Sequence, residues 1–211
     1  MTEKIELKIN GLSVTADSGM TILDAALRKG IYIPHLCHHR QLEPIGACRL
    51  CLVEIQGEWK KTVISCKTLV KEGMVVLTET PEIQKIRQIN VELIVADHDT
   101  DCLNCFQNTK CALQRVADHV GMDKKRLDRL KKPDKLLPID DSNPFFTFNP
   151  NRCVLCGICV RTCDEIQNIQ AIDFVHRGLG TKVAGFGDRP RLESNCESCG
   201  ECIVRCPVGA L

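Results

Sequence analysis

The chain has 211 residues, of which 44% are apolar and only 4% aromatic, with one Trp, one Tyr and six Phe. So little bulk disfavours one large core and favours small modules built around inorganic nuclei. Twenty-eight basic residues against 27 acidic leave a net charge of +1, which supplies no electrostatic pull toward nucleic acid or an anionic membrane.

The start, Met1 to Asn10, lacks the basic head and continuous apolar core of a signal peptide, and no run approaches the length of a membrane span. The expectation is a cytoplasmic protein without direct membrane insertion. Ile5, Leu7 and Ile9 alternate with polar residues, Asn10-Gly11 is a turn signal, and Val14 resumes on a returning strand. Thr21-x-x-Asp24 reads as a capping box before Ile22, Ala25, Ala26 and Leu27, and Gly30 ends that short helix. Leu52 to Ile55 and Lys61 to Ser65 flank a turn at Gly57, and Met74 to Thr78 adds a further strand. Residues 1–78 are thus expected as one domain, a small twisted sheet carrying one helix.

Residues 79–118 open on the clearest long helix. Thr80 caps it, Pro81 takes the first helical position, and Glu82 favours the positive end of the helix dipole. Ile83, Ile86, Ile89, Leu93 and Ile94 recur at helical spacing, and the helix delivers His98 at its end. Residues 119–145, with Lys124-Lys125-Arg126 and Lys131-Lys132-Pro133, show no strand pattern and are expected as a solvated connector. In residues 146–211 two cysteine runs repeat. Gly178-Leu-Gly180 and Gly185-Phe-Gly187 between them do not have nucleotide-loop spacing and are read as turns.

Fifteen cysteines in a reducing compartment point to metal ligation rather than disulfides. Cys153-x2-Cys156-x2-Cys159-x3-Cys163 and Cys196-x2-Cys199-x2-Cys202-x3-Cys206-Pro207 have the bacterial ferredoxin spacing for two [4Fe-4S] clusters, in which each fourth cysteine serves the other run's cluster. Cys153, Cys156, Cys159 and Cys206 would hold one, and Cys163, Cys196, Cys199 and Cys202 the other. Asp164 stands where a proline follows the second run, so the first ligand loop is expected to be less rigid.

Cys37, Cys48, Cys51 and Cys66 match a plant-type [2Fe-2S] set with a longer first gap. The small Gly46 and Ala47 let backbone N–H groups approach the sulfurs. Four thiolates also suit tetrahedral zinc. Cys37-x-His39 resembles half of a Rieske site, but no second histidine follows Cys51, and His35 and His38 are read as ordinary loop residues. His98-x3-Cys102-x2-Cys105-x5-Cys111 could hold either zinc or a [4Fe-4S] cluster. His119 and His176 are read as structural. The count favours clusters throughout, because His98 and fifteen cysteines complete four sets of four with no thiol left over.

The order of these motifs, together with the ending Cys206-Pro-Val-Gly-Ala-Leu211, resembles a known family of iron-sulfur electron-transfer chains. It is similar to the N-terminal region of [FeFe]-hydrogenases, to NAD-linked formate dehydrogenase large subunits, to the large iron-sulfur subunit of NADH:quinone oxidoreductase, and to the diaphorase small subunit of NAD-linked [NiFe]-hydrogenases. The resemblance implies an α+β chain: an N-terminal β-grasp [2Fe-2S] ferredoxin-like domain, a helical segment with a one-His/three-Cys cluster, and a C-terminal two-[4Fe-4S] ferredoxin-like domain. It implies one [2Fe-2S] and three [4Fe-4S] clusters.

The hydrogenase and formate dehydrogenase chains continue into a catalytic domain where this sequence stops, so the expected role is a carrier subunit without a catalytic centre. Expected partners are a flavin-containing NAD(P)H-oxidising subunit, a catalytic hydrogenase or formate dehydrogenase subunit, and ferredoxin. One flavin feeding two acceptors would add electron bifurcation. A self-sufficient reductase would bind flavin or nicotinamide by itself, and a zinc-stapled structural module would carry zinc and no iron.

Overall fold

The computed structural model describes residues 3–57, 61–131 and 136–211. Lys132-Pro133 of the second basic run, and Met1-Thr2 of the N-terminus, lie outside the described residues. The chain forms two compact units, residues 1–91 with 116–123, and residues 92–115 with 124–211.

In the first unit, β1 (Lys4–Ile9) and β2 (Leu12–Asp17) form an antiparallel hairpin in which Ile9 faces Leu12. Both turn residues, Asn10 and Gly11, have positive φ (50° and 79°), the geometry that matches the right-handed twist of the strands. Next come α1 (Ile22–Arg28), β3 (Leu52–Gln56), β4 (Lys61–Ile64) and β5 (Val75–Leu77). The sheet order is β2-β1-β5-β3-β4, with β1 and β5 parallel and the other pairs antiparallel. Thr21 caps α1, its side chain accepting from the Asp24 N–H at 3.1 Å, and Ile22, Leu23, Ala25 and Ala26 are buried. They join Leu7, Ile9, Val14, Val53 and Val76 in a core that also contains Cys51 and Cys66. Two thiols are therefore part of the hydrophobic centre rather than of a surface loop.

The helix α2 (Pro81–Ala96) starts where the caps place it: Thr80 Oγ1 accepts from Ile83 N–H at 3.3 Å. Its buried face differs from the expected isoleucine stripe. Ile89 and Leu93 are exposed, while Ile83, Arg87, Val91 and Val95 are buried at four-residue spacing, with Glu92 buried beside them. Two charged side chains are interior because each finds a partner. Glu92, in the second unit, is held by Arg126, whose Nη2 donates to Oε1 at 2.9 Å and whose Nε donates to Oε2.

Arg126 lies on α4 (Lys124–Leu130), which follows α3 (Ala112–Val120). The first basic run of the expected connector is thus helical, and one of its cations is an internal partner. In the second unit, α5 (Ile158–Arg161) runs on into a π-helical turn, Thr162–Ile166, and α6 (Glu201–Val204) is its counterpart in the second cysteine run. Between them β6 (Asp173–Val175) and β7 (Lys182–Ala184) pair antiparallel. A 3-10 turn at Gly178–Gly180 links them, and a second at Phe186–Asp188 follows, in keeping with the turn reading of these glycines. Among the described residues no helix is long and apolar enough to cross a membrane.

Candidate metal centres

None of the fifteen cysteines, all of them among the described residues, is in a disulfide, and they gather into separate groups. In the first unit the Cys37 and Cys48 sulfurs share a hydrogen bond across 3.4 Å. Cys51 and Cys66 share a second hydrogen bond. The 3.4 Å separation is near the ~3.8 Å edge of a tetrahedral metal–thiolate site with bonds of ~2.3 Å. Two such pairs are what a two-metal, four-thiolate centre needs. The shared bond with Cys37 and then burial push the Cys48 thiol up, and the bond from Cys66 brings Cys51 down to about 7, with Ser65 assisting. The Cys66 thiol rises, first because it donates that bond.

Backbone N–H groups do approach sulfur here, as Cys48 N–H donates to Cys37 Sγ at 3.5 Å. Gly46 matters for its φ of +67°; an added Cβ would make only ordinary contacts, the nearest at 3.4 Å. His38 turns away to Asp24 (Nε2 to Oδ1, 3.1 Å), and His35 Nδ1 lies 2.7 Å from the Ile33 carbonyl.

Sequence reasoning overlooked the residue that fastens this loop. Arg87 is fully buried; its Nε donates to the Leu50 carbonyl at 2.9 Å, its Nη2 to the Leu52 carbonyl at 2.7 Å and its Nη1 to Glu79 at 2.9 Å. The two carbonyls flank Cys51. Burial lowers the guanidinium's proton affinity and Glu79 restores part of it. The available signal was its register: Arg87 is four residues from Ile83 and four from Val91, on the buried face.

In the second unit burial first, then the charges of Cys105 and Cys102, push the Cys111 thiol up. His98 heads their loop. Its Nδ1 is buried with no hydrogen-bond partner, and burial lowers its proton affinity. A neutral imidazole with an unsatisfied buried nitrogen has the state a metal ligand needs. The loop is packed so closely that a Cβ at Gly209 would lie 2.4 Å from Cys105 Sγ.

The two runs have the same backbone form. Leu155 and Ser198 take positive φ (51° and 56°), and so do Gly157 and Gly200 (70° and 77°), which cap α5 and α6. Glycine adopts this left-handed form without strain, whereas for Leu and Ser it costs about 1–3 kcal/mol and persists where the surroundings demand it. The curl turns successive N–H groups inward into the kind of nest that holds iron-sulfur centres; Leu155 N–H donates to Cys153 Sγ at 3.4 Å.

Side chains group across the runs. Cys159, buried and pushed well up, feels Cys156 and Cys153, and also Cys206 from the other run. Cys153, raised to about 11 by burial, feels Cys206 as well. Cys163 lines one enclosed cavity with Cys196, Cys199 and Cys202, and burial pushes Cys202 to about 11. Ala171 N–H donates to Cys163 Sγ at 3.3 Å. Asp164 lies within the π turn Thr162–Ile166, a local form common at functional sites. His119 pairs with Glu79 at 3.2 Å and His176 with Asp188 at 2.8 Å, away from the thiols.

The donors therefore fit clusters. Among the described residues no three His, Cys, Asp or Glu side chains converge in the arrangement that a single metal ion such as zinc requires.

Three stretches of the chain match known families. Residues 2–81 match a 2Fe-2S iron-sulfur cluster binding domain, residues 87–126 the NADH-ubiquinone oxidoreductase-G iron-sulfur binding region, and residues 152–210 a 4Fe-4S dicluster domain. The chain is 36% identical over 209 residues to an NADH-quinone oxidoreductase subunit of Rhizobium meliloti (strain 1021), covering 98% of this chain and 24% of the relative. It is 37% identical over 207 residues to NADPH-Fe(3+) oxidoreductase subunit alpha of Geobacter sulfurreducens, again covering 98% and 24%. The chain thus spans about a quarter of the length of these curated relatives. A chain in a crystal structure of NAD+-reducing [NiFe]-hydrogenase in the H2-reduced state superposes with a TM-score of 0.84 at 30% identity, over 98% of this chain and 86% of that one.

Proposed function

Because this chain belongs to the iron-sulfur electron-transfer family that includes the Rhizobium NADH-quinone oxidoreductase subunit and a chain of NAD+-reducing [NiFe]-hydrogenase, we propose that it is the electron-transfer subunit of a multisubunit NAD(P)-linked hydrogenase. The observation that supports this reading is that Cys206 acts on Cys153 and Cys159 of the first run, while Cys163 of that run lines one cavity with Cys196, Cys199 and Cys202 of the second. Iron-sulfur clusters, when bound, supply one-electron centres whose potentials follow from cluster type, hydrogen bonds and burial.

The residues assigned to them are Cys37, Cys48, Cys51 and Cys66 for a [2Fe-2S] cluster, and His98, Cys102, Cys105 and Cys111 for a [4Fe-4S] cluster. Two further [4Fe-4S] clusters fall to Cys153, Cys156, Cys159 and Cys206, and to Cys163, Cys196, Cys199 and Cys202. The chain's own contribution is to hold buried thiolates, aim backbone N–H groups at sulfur and keep water out. A flavin subunit that takes hydride must release its electrons singly, so the partners proposed are a flavin-containing NAD(P)H-oxidising subunit and a separate catalytic hydrogenase subunit, with ferredoxin as a branch. Bifurcation would require that flavin to feed two acceptors. The long match to the [NiFe]-hydrogenase chain favours this complex; the higher identity to the Rhizobium subunit favours an NADH dehydrogenase-type complex as second reading.

Purified alone after anaerobic reconstitution, the chain should hold roughly fourteen irons and show no NADH–dye activity. Stoichiometric zinc without iron, or dye reduction by the lone chain, would overturn the reading. His98→Ala should remove or alter one EPR signal of the reduced protein and leave three. Four unchanged signals would remove His98 from the ligand set.

A further inference from the structure

Arg191 is only 1% exposed, and its Nε, Nη1 and Nη2 all lack a hydrogen-bond partner. The Asp140 carboxylate is 3.5 Å from Nη1, an ion-pair distance too long for a hydrogen bond. That carboxylate is held at closer range by the Arg191 backbone N–H (3.0 Å) and the Ser142 hydroxyl (2.6 Å). The guanidinium carbon stacks 3.8 Å above the Phe148 ring. A guanidinium has five N–H donors and no acceptor, and burying it with those donors unused is costly unless something else receives them.

It borders a cavity lined by thiols. Arg191 lines the cavity it shares with Cys163, Cys196, Cys199 and Cys202. Its charge also opposes the upward shift of Cys202 and, in the other cage, of Cys153 and Cys159.

We propose that Arg191 is a tuning residue shared by the two cages of the cysteine repeat, raising the reduction potential of both clusters through one buried positive charge. This rests on the reading of those cages as [4Fe-4S] sites. The physical reason is that reduction adds negative charge to a cluster already carrying thiolates. A fixed cation in a medium of low dielectric favours the reduced form. Asp140 is the opposing charge, so its removal should strengthen the effect. A purely structural arginine would alter stability and leave the potentials where they were.

The test is an EPR-monitored redox titration of the reconstituted full chain as wild type, Arg191→Met, Arg191→Lys and Asp140→Asn, with iron measured in each. In Arg191→Met the reduced fraction of both repeat clusters at a fixed poise should fall about tenfold, which is ~59 mV for a one-electron couple. The [2Fe-2S] signal and that of the His98 group should not move, Arg191→Lys should retain part of the shift, and Asp140→Asn should raise both couples. Unmoved couples in Arg191→Met at full iron content overturn the proposal, as does movement of only one. Should Arg191→Met fail to hold iron, Asp140→Asn decides: a rise in both couples supports the proposal and no rise overturns it. A wild-type chain without two repeat-cluster signals overturns the cluster assignment itself and is recognised before any variant is compared.

Discussion

Arg87→Met is expected to destabilise the first unit by about 3 kcal/mol, a large part of the 5–15 kcal/mol typical of a whole domain. The methionine replaces the arginine's stem but none of its donors. The Leu50 and Leu52 carbonyls would lose bonds of 2.9 and 2.7 Å in an interior that water does not reach, and Glu79 would lose its guanidinium partner. Those carbonyls hold both sides of Cys51, so weakening should reach the thiol pairs before it reaches the β1–β2 hairpin. The check is chemical denaturation followed by both circular dichroism and visible absorption. The visible band of the first-unit centre should disappear at lower denaturant than in wild type, while Arg87→Lys, which keeps the charge but not the forked geometry, should lie between them. Coincident wild-type and Arg87→Met curves would show that the clamp contributes nothing.

Cys206→Ala should damage the centre of the first cysteine run, not of the run it belongs to. The thiol acts on Cys153 and Cys159, whereas Cys163 shares its cavity with Cys196, Cys199 and Cys202. The EPR change caused by Cys206→Ala should therefore coincide with that of Cys153→Ala, and the change caused by Cys163→Ala with that of Cys196→Ala. Iron should fall in each case by about one cluster's worth, four atoms. If Cys206→Ala instead reproduced Cys196→Ala, each run would be loading its own cluster and the crossed assignment would be wrong.

Features with local causes were legible in the sequence. Asn10-Gly11 sets a turn by its own backbone preference, Thr21 and Thr80 cap the helices that follow, Pro81 opens one of them, and the cysteine spacings mark the 2Fe-2S and 4Fe-4S dicluster domains. What escaped was produced by distant partners. Arg87 and Glu92 belong to a buried helix face because Leu50, Leu52, Glu79 and Arg126 receive them, and a pattern that scores charge as exposed selects Ile89 and Leu93 instead. The helix Lys124–Leu130 has no buried residue, so it offered no apolar period to detect. The strands Asp173–Val175 and Lys182–Ala184 are three residues each, shorter than an alternation can register. Arg191 carried no signal in its neighbours at all; only the folded repeat places its cation beside sulfur.

The segment from Cys206 to Ala210 bears on the order in which the protein can be assembled. The Pro207 carbonyl accepts from Ala112 N–H at 2.9 Å, the Ala210 carbonyl from Asn149 N–H at 2.8 Å, and Gly209 abuts Cys105. Ribosomal synthesis delivers residues in order, and domains made earlier fold earlier. The thiols of the first unit are all present once Cys66 has emerged, so that centre can load while the rest is still being made. The loop around Cys105 and the cage around Cys153 both wait for the same later segment, Cys206 to Ala210. Metal delivery would then occur in two episodes, the first before Cys206 is made and the second once the segment from Cys206 to Ala210 has emerged, and iron shortage during growth should yield chains that carry the first centre alone.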